Sequence, residues 1–161
     1  MELAIISDTH MPKGDRRVPE ACLARLRAAD LILHAGDIAA LAVLREIELC
    51  GEVAAVRGNV DDADLRAMLP ETRVLEAGSA RIAMVHDAGP AQGRLGRLRR
   101  RFPEADAVVF GHSHLPLHQE EGDFQIFNPG SPTERRRAPE HTMGIVRVEG
   151  GKVSFTLLPL L

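Results

Sequence analysis

The chain has 161 residues, 45% of them apolar and 27% charged, with a formal net charge of −3. That length suits one domain with its own core, and the composition excludes disordered and fibrous classes. The small negative charge argues against general affinity for nucleic acid or anionic membranes.

The chain opens Met1-Glu2-Leu3-Ala4-Ile5-Ile6-Ser7-Asp8, an apolar run too short for a signal peptide or a membrane span. We expect a single cytoplasmic domain over residues 1–161 with no membrane partner. Cys22 and Cys50 lie outside any C-x-x-C spacing and are expected as free buried thiols within helices. The first strand, Leu3 to Ile6, stops at Ser7-Asp8-Thr9-His10. Pro19 opens a helix over about Val18 to Ala28. A strand, Leu31 to His34, ends at Ala35-Gly36-Asp37, and Leu41, Leu44 and Ile47 mark a helix from Ala39 to Leu49.

The strand Val53 to Val56 ends at Gly58-Asn59-Val60-Asp61, and a short helix from Ala63 to Leu69 is closed by Pro70. Strands Thr72 to Glu76 and Arg81 to Val85 form a hairpin about Gly78-Ser79, the second running into His86-Asp87. A helix over Gln92 to Phe102 puts Leu95, Leu98 and Phe102 on the core side and leaves Arg97, Arg99, Arg100 and Arg101 as a solvated face. The buried strand Val108 to Phe110 ends at Gly111-His112-Ser113-His114. Further strands follow at Phe124 to Phe127, Thr142 to Val148 and Lys152 to Leu158, the last two joined at Gly150-Gly151. Strand and helix alternate early and strands follow one another late, which predicts an α/β protein whose sheet is parallel at the front and extended by antiparallel strands.

Five of these strands end in Asp8/His10, Asp37, Asn59, His86 and His112/His114. Open α/β sheets bind ligands at the carboxyl ends of their strands. Alternate side chains of an extended segment point the same way, so His112 and His114 are expected to project together to one side, and Asp8 and His10 form a second such pair. The donors are two aspartates, one asparagine and four histidines, with no thiolate. That is more than one tetrahedral zinc needs and suits two ions of higher coordination number, such as Mn²⁺, Fe²⁺ or Zn²⁺.

The ordered set Asp8-Thr9-His10, Gly36-Asp37, Gly58-Asn59-Val60-Asp61, His86 and Gly111-His112-Ser113-His114 resembles the calcineurin-like metallophosphoesterases. The short length and the tetrad Asn128-Pro129-Gly130-Ser131 are most similar to their small single-domain bacterial and archaeal phosphodiesterase branch. The resemblance implies a four-layer α/β/β/α sandwich of two mixed β-sheets flanked by helices, the metallo-dependent phosphatase fold. It implies that Asp8, His10, Asp37 and His114 hold one divalent ion and that Asp37, Asn59, His86 and His112 hold the other. Asp37 would bridge them, with Asp37, Asn59 and His86 at the catalytic centre.

The implied activity is hydrolysis of a small phosphodiester by in-line attack of a hydroxide bridging the two ions. Mn²⁺ is the expected metal, with Fe²⁺, Zn²⁺ and Ni²⁺ able to serve. Two divalent ions, two aspartates and a hydroxide leave about one positive charge, which attracts an anionic ester. Asn59 and the arginines Arg135 and Arg136, in the loop this family places near the metals, are the substrate-binding candidates, and a plain surface loop is the alternative for the arginines. Asn128 and Ser131 are read as shaping that loop through side-chain to backbone bonds.

Val60 departs from the wider family, in which many members carry a histidine able to protonate the leaving group, so diesters with acidic leaving groups are favoured. Asp87 is either a partner for a ligand imidazole or a solvated loop residue. His34 is read as structural and His118 and His141 as surface residues. The rival function is a weakly active or inactive metal-binding scaffold, as in the retromer subunit of this fold. Small members of the family often associate, so a homo-oligomer stays open.

Overall fold

In β1 (Glu2–Ile6) successive side chains face two different cores, and that alternation sets out the layers. The computed structural model describes residues 1–160. Leu3 and Ile5 point into one buried cluster while Ala4 and Ile6 point into another. β1 pairs in parallel with β2 (Leu31–His34), which pairs in parallel with β3 (Val53–Ala55). On its other side β1 meets β9 (His141–Glu149) antiparallel, and β10 (Lys152–Leu160) completes the order β10-β9-β1-β2-β3.

The second sheet has the order β4-β5-β6-β8-β7, made of β4 (Thr72–Ala77), β5 (Ala80–Val85), β6 (Ala107–Val109), β7 (Leu117–Glu121) and β8 (Phe124–Asn128). Its central pairs, β5 with β6 and β6 with β8, are parallel, and its outer pairs are antiparallel. Leu3, Ile5 and Leu33 of the first sheet pack against Ile82, Met84, Val109 and Phe127 of the second.

Helices cover the outer faces. α1 (Glu20–Ala28), α2 (Leu41–Glu48) and α3 (Ala63–Met68) bring Cys22, Leu26, Leu44, Ile47 and Leu65 onto Ala4, Ile6 and Ile32. α4 (Arg94–Arg101) lays Leu98 on Val108 and Ile126. The result is the four-layer sandwich of two mixed five-stranded sheets. Asp62 caps α3 by accepting from Leu65 N (2.9 Å), and its other oxygen accepts from Leu41 N (3.1 Å) at the start of α2. A cap of this kind stabilises by about 1 kcal/mol.

Several details differ from the sequence expectation. The strands form two sheets rather than one extended sheet, because β5 pairs with β6 and not with the β1–β3 set. β7 is an additional edge strand with four exposed residues, which carries too little apolar pattern to be read. Cys50 lies just beyond α2 and is half-buried, whereas Cys22 is fully buried within α1. Burial pushes the Cys22 thiol up to about 12. Arg97 is not merely solvated: its guanidinium donates to Ala88 O (2.7 Å) and Pro90 O (2.7 Å), fastening the loop after β5 onto α4. Among the described residues no helix is long and apolar enough to cross a membrane.

Candidate metal centre

Parallel pairing carries on past the strand ends and brings the ligand loops together. Asp8 N donates to Gly36 O (2.9 Å), His10 N to Asp37 O (3.0 Å) and Gly111 N to His86 O (3.0 Å). The candidate residues follow β1, β2 and β3 of one sheet and β5 and β6 of the other, so they collect along a single edge of the sandwich. Five of them have left-handed backbones: Asp8 (φ 58°), His10 (46°), Asp37 (61°), His112 (75°) and His114 (62°). Such conformations cost about 1–3 kcal/mol each in non-glycine residues and persist only where the surroundings enforce them.

This geometry overturns the expectation that His112 and His114 point the same way. The backbone is not extended there, and the two histidines enter different groups. Among the described residues, Asp8, His10 and His114 offer donor atoms within 4.8 Å of one another, and so do Asp37, His86 and His112. Asp37 joins the groups, its Oδ2 lying 3.3 Å from His10 Nε2 and 3.1 Å from His86 Nε2. Asn59 Oδ1 stands 3.1 Å from His86 Nε2 and 3.2 Å from His112 Nδ1. All seven candidate ligands are thus adjacent.

The donor atoms fit divalent cations. Asp8 Oδ1, His10 Nε2 and His114 Nε2 are buried without a hydrogen-bond partner among the described residues. The two imidazole nitrogens lie 3.7 and 3.5 Å from that same oxygen. A buried acceptor left unpaired costs about 1–3 kcal/mol, so three of them facing one point is the signature of a cation position. His86 donates from Nδ1 to Ala35 O (2.7 Å), which leaves its Nε2 lone pair facing Asp37 and Asn59 oxygens, an arrangement that only a proton or a cation relieves. His114 Nδ1 donates to Glu134 O in the same way.

The electrostatics agree. Burial works to lower the His10 pKa, but the Asp37 and Asp8 carboxylates facing its Nε2 overcome it and hold it at about 9. His86 is raised as well, its burial outweighed by Asp37 and Asp8. Burial works to raise Asp37, yet His10 and His86 hold its carboxyl well below the usual carboxylate range. His114 is lowered by burial against the pull of Asp8. The carboxylates therefore draw protons to the places where cations would sit.

The surrounding residues divide clearly. Ser7 Oγ donates to Asp8 Oδ2 (2.7 Å), and Val60 N donates to Asp37 Oδ1 (2.9 Å). His34 is structural: Gly36 N donates to its Nδ1 (3.1 Å), its Nε2 donates to Thr9 Oγ1 (3.1 Å), and burial pushes its pKa down to about 4. Asn128 donates to Gly111 O (3.1 Å) and Ser131 Oγ to Asp8 O (2.8 Å), so both shape the loops. Asp87 is exposed, accepts from Gly89 N (2.8 Å) and lies 3.9 Å from His112 Nε2.

Arg135 donates to Ala138 O (2.9 Å), holding its own turn, while the exposed Arg136 is close enough for its charge to lower the His114 pKa. Two acidic residues were missed. Asp61, buried, accepts from Ala39 N (2.8 Å) and Gly58 N (2.6 Å), and the Glu134 carboxylate faces His10. Asp61 lay within the Gly58-Asn59-Val60-Asp61 tetrad, a usable signal; Glu134 had none. A cavity of about 340 Å³ lined by Arg57, Asn59, Glu71, His86 and Asp87 opens beside the second group.

The profile of the calcineurin-like phosphoesterase superfamily domain matches residues 1–151. A probable metallophosphoesterase of Methanothermobacter thermautotrophicus is 34% identical over 160 residues, covering 98% of this chain and 92% of the relative. Zinc-bound wild-type Vps29 of Entamoeba histolytica superposes with a TM-score of 0.78 at 22% identity, covering 99% of each chain. An archaeal phosphodiesterase superposes with a TM-score of 0.71 at 22% identity, covering 98% of this chain and all of the other. At those identities the two structures establish a shared fold.

Proposed function

Because the chain belongs to the calcineurin-like phosphoesterase superfamily, a metal-dependent family, we propose that it hydrolyses small phosphodiesters using two divalent ions at its strand ends. Asp8, His10, Asp37 and His114 hold one ion, and Asp37, Asn59, His86 and His112 hold the other. The observation that carries this reading is the convergence of three unpartnered buried donors, Asp8 Oδ1, His10 Nε2 and His114 Nε2, beside a carboxylate shared with a second donor group. When bound, such a pair ionises a water near neutral pH and neutralises charge on the phosphoryl oxygens. Oxygen and nitrogen donors without thiolate suit Mn²⁺, with Fe²⁺, Zn²⁺ and Ni²⁺ as alternatives.

The chain's own residues set the rest. Asp37 is fixed by Val60 N, which keeps the two groups in register. Asn59 turns Oδ1 to His86 and His112 and offers its amide N–H groups to a phosphoryl oxygen. Arg136 adds positive charge near His114, and the cavity beside Asn59 and His86 accepts one ester substituent. Val60 has no proton to give, which restricts efficient cleavage to esters whose leaving group departs as a stable anion.

The test is hydrolysis of bis(p-nitrophenyl) phosphate by chelator-stripped protein before and after adding Mn²⁺, with Asp37→Ala as control. Turnover restored by metal and abolished in Asp37→Ala is expected. A folded, metal-loaded protein without turnover overturns the proposal and favours a scaffold role.

A further inference from the structure

The loop after Asn128-Pro129-Gly130-Ser131 is stitched to the first ligand loop. Ser131 Oγ donates to Asp8 O (2.8 Å) and accepts from Glu134 N (2.8 Å), and Thr133 Oγ1 donates to Thr9 O (2.7 Å). These bonds set Glu134 against His10 with its carboxylate oxygens divided between two tasks. Oε1 faces cations, with Arg16 Nη2 at 3.5 Å and Lys13 Nζ at 4.0 Å. Oε2 is buried, has no hydrogen-bond partner among the described residues, and stands 3.6 Å from His10 Nδ1. Arg16 also donates from Nη1 to His10 O (3.0 Å), so one guanidinium holds both the His10 backbone and the Glu134 carboxylate.

From this clamp we infer that Glu134 is a positioning residue for the Asp8–His10–His114 group. From 3.6 Å its carboxylate charge favours a proton on His10 Nδ1, while its carbonyl accepts from His114 Nδ1 directly. A neutral imidazole with its proton on Nδ1 has its lone pair on Nε2, and both Nε2 atoms face Asp8 Oδ1. A carboxylate behind a ligand imidazole orients the ring and strengthens it as a donor. Among the described residues the other group has only an exposed counterpart. His86 Nδ1 is held by the Ala35 carbonyl, and the carboxylate nearest His112 Nε2 is the exposed Asp87 at 3.9 Å. The two ion positions are therefore unequal, and Glu134 governs one of them. This inference rests on the metal reading above and adds the asymmetry.

The experiment titrates chelator-stripped full-length protein with Mn²⁺, reading free Mn²⁺ by electron paramagnetic resonance, for wild type, Glu134→Ala and Glu134→Gln. The expected result is two ions per wild-type chain and a loss of about 10–100-fold in affinity at one site alone in Glu134→Ala. Glu134→Gln, which keeps an oxygen beside Nδ1 but not the charge, falls between. In Zn²⁺-loaded, ¹⁵N-labelled protein the His10 ring shows a protonated Nδ1 in wild type and loses that signature in Glu134→Ala, while His114 keeps it through the carbonyl. Two unchanged binding constants with an unchanged His10 signature overturn the inference alone. A wild type that binds no ion overturns the metal reading itself.

Discussion

Gly58 lies against Asp37 so closely that a methyl group at residue 58 would stand 2.1 Å from Asp37 Oδ1 and 2.4 Å from its backbone nitrogen. Gly111 bears the same relation to the other aspartate's loop, with a Cβ 2.0 Å from Ser7 Oγ and 2.8 Å from Asp8 Oδ2. At Gly58 the contact cannot be relieved by a flexible side-chain end, since the Asp37 backbone nitrogen and the candidate ligand itself are in the way. Gly58→Ala must therefore move Asp37, which both donor groups share. We expect its Mn²⁺-dependent turnover to fall by about 100-fold or more. The chelated protein should lose only about 1–3 kcal/mol in urea unfolding. Wild-type turnover in this variant would show that Asp37 is not held by its neighbour's lack of a side chain.

Without metal, stability should decline as the solution becomes alkaline. The folded-state pKa of His10 is raised from 6.5 to about 9, so its contribution is fully present below pH 6.5 and is lost as pH rises through 9. His86 is shifted in the same direction. Urea midpoints measured in chelator should fall between pH 6.5 and 9, and Asp37→Asn, lacking the charge that holds both protons, should flatten the decline. A flat or rising wild-type profile would contradict the electrostatics of the site.

Between pH 6.5 and 4 the acid limb belongs largely to His34, and the depressed Asp37 carboxyl contributes only at still lower pH. Its folded pKa is depressed from 6.5 to about 4 by burial, so its contribution is present above pH 6.5 and is lost as pH falls through 4. His114 is lowered too and acts in the same sense. The slope should approach about 1.4 kcal/mol per pH unit for each proton taken up on unfolding. His34→Gln, with no titrating ring, should reduce the slope between pH 6.5 and 4 even if it unfolds more easily at every pH. An unchanged slope would place the titration elsewhere.

The strand ends were legible because each is an apolar run broken by a polar ligand type, as at Ile6-Ser7-Asp8 and Phe110-Gly111-His112. What the residues could not convey was set by distant contacts. β1 pairs with β9 across most of the chain, and no local pattern separates one sheet from two. The direction of His114 depends on a left-handed backbone that alternation cannot anticipate. Glu134 stands in a charged loop like any surface acid, and only Ser131 and Thr133, bonded to the 8–9 backbone, bring it to His10. Membership and the candidate ligand set were read through order along the chain, whereas the place of Glu134 beside His10 needed coordinates.

Metal binding should release protons. His10 is protonated at neutral pH without metal, and a cation at Nε2 must displace that proton, with His86 contributing a further share. Apparent Mn²⁺ affinity should then rise about tenfold per pH unit for each proton released and level off above the His10 pKa of about 9. Calorimetric titrations at pH 7.5 in buffers of different ionisation enthalpy count the protons directly. Equal affinity at pH 7 and 8.5, with no buffer dependence, would mean the imidazoles are already neutral.

Val60 offers a gain-of-function test. Its side chain is 42% exposed and its tie to Asp37 runs through the backbone N–H, so Val60→His preserves that bond and disturbs no core. An imidazolium there would stand beside Asp37 and Asn59, and on the proposed reading it would protonate the leaving oxygen. General-acid assistance is worth about 10²–10⁴-fold, but only for leaving groups too basic to depart alone. Hydrolysis of bis(p-nitrophenyl) phosphate should hardly change, whereas a diester with an alkyl leaving group should be cleaved about 100-fold faster or more, the gain fading as the new imidazole deprotonates above about pH 7. Val60→Leu should alter neither rate. An equal gain on both substrates, with no pH dependence, would show that residue 60 acts through the shape of the mouth, and the leaving-group restriction would then have another cause.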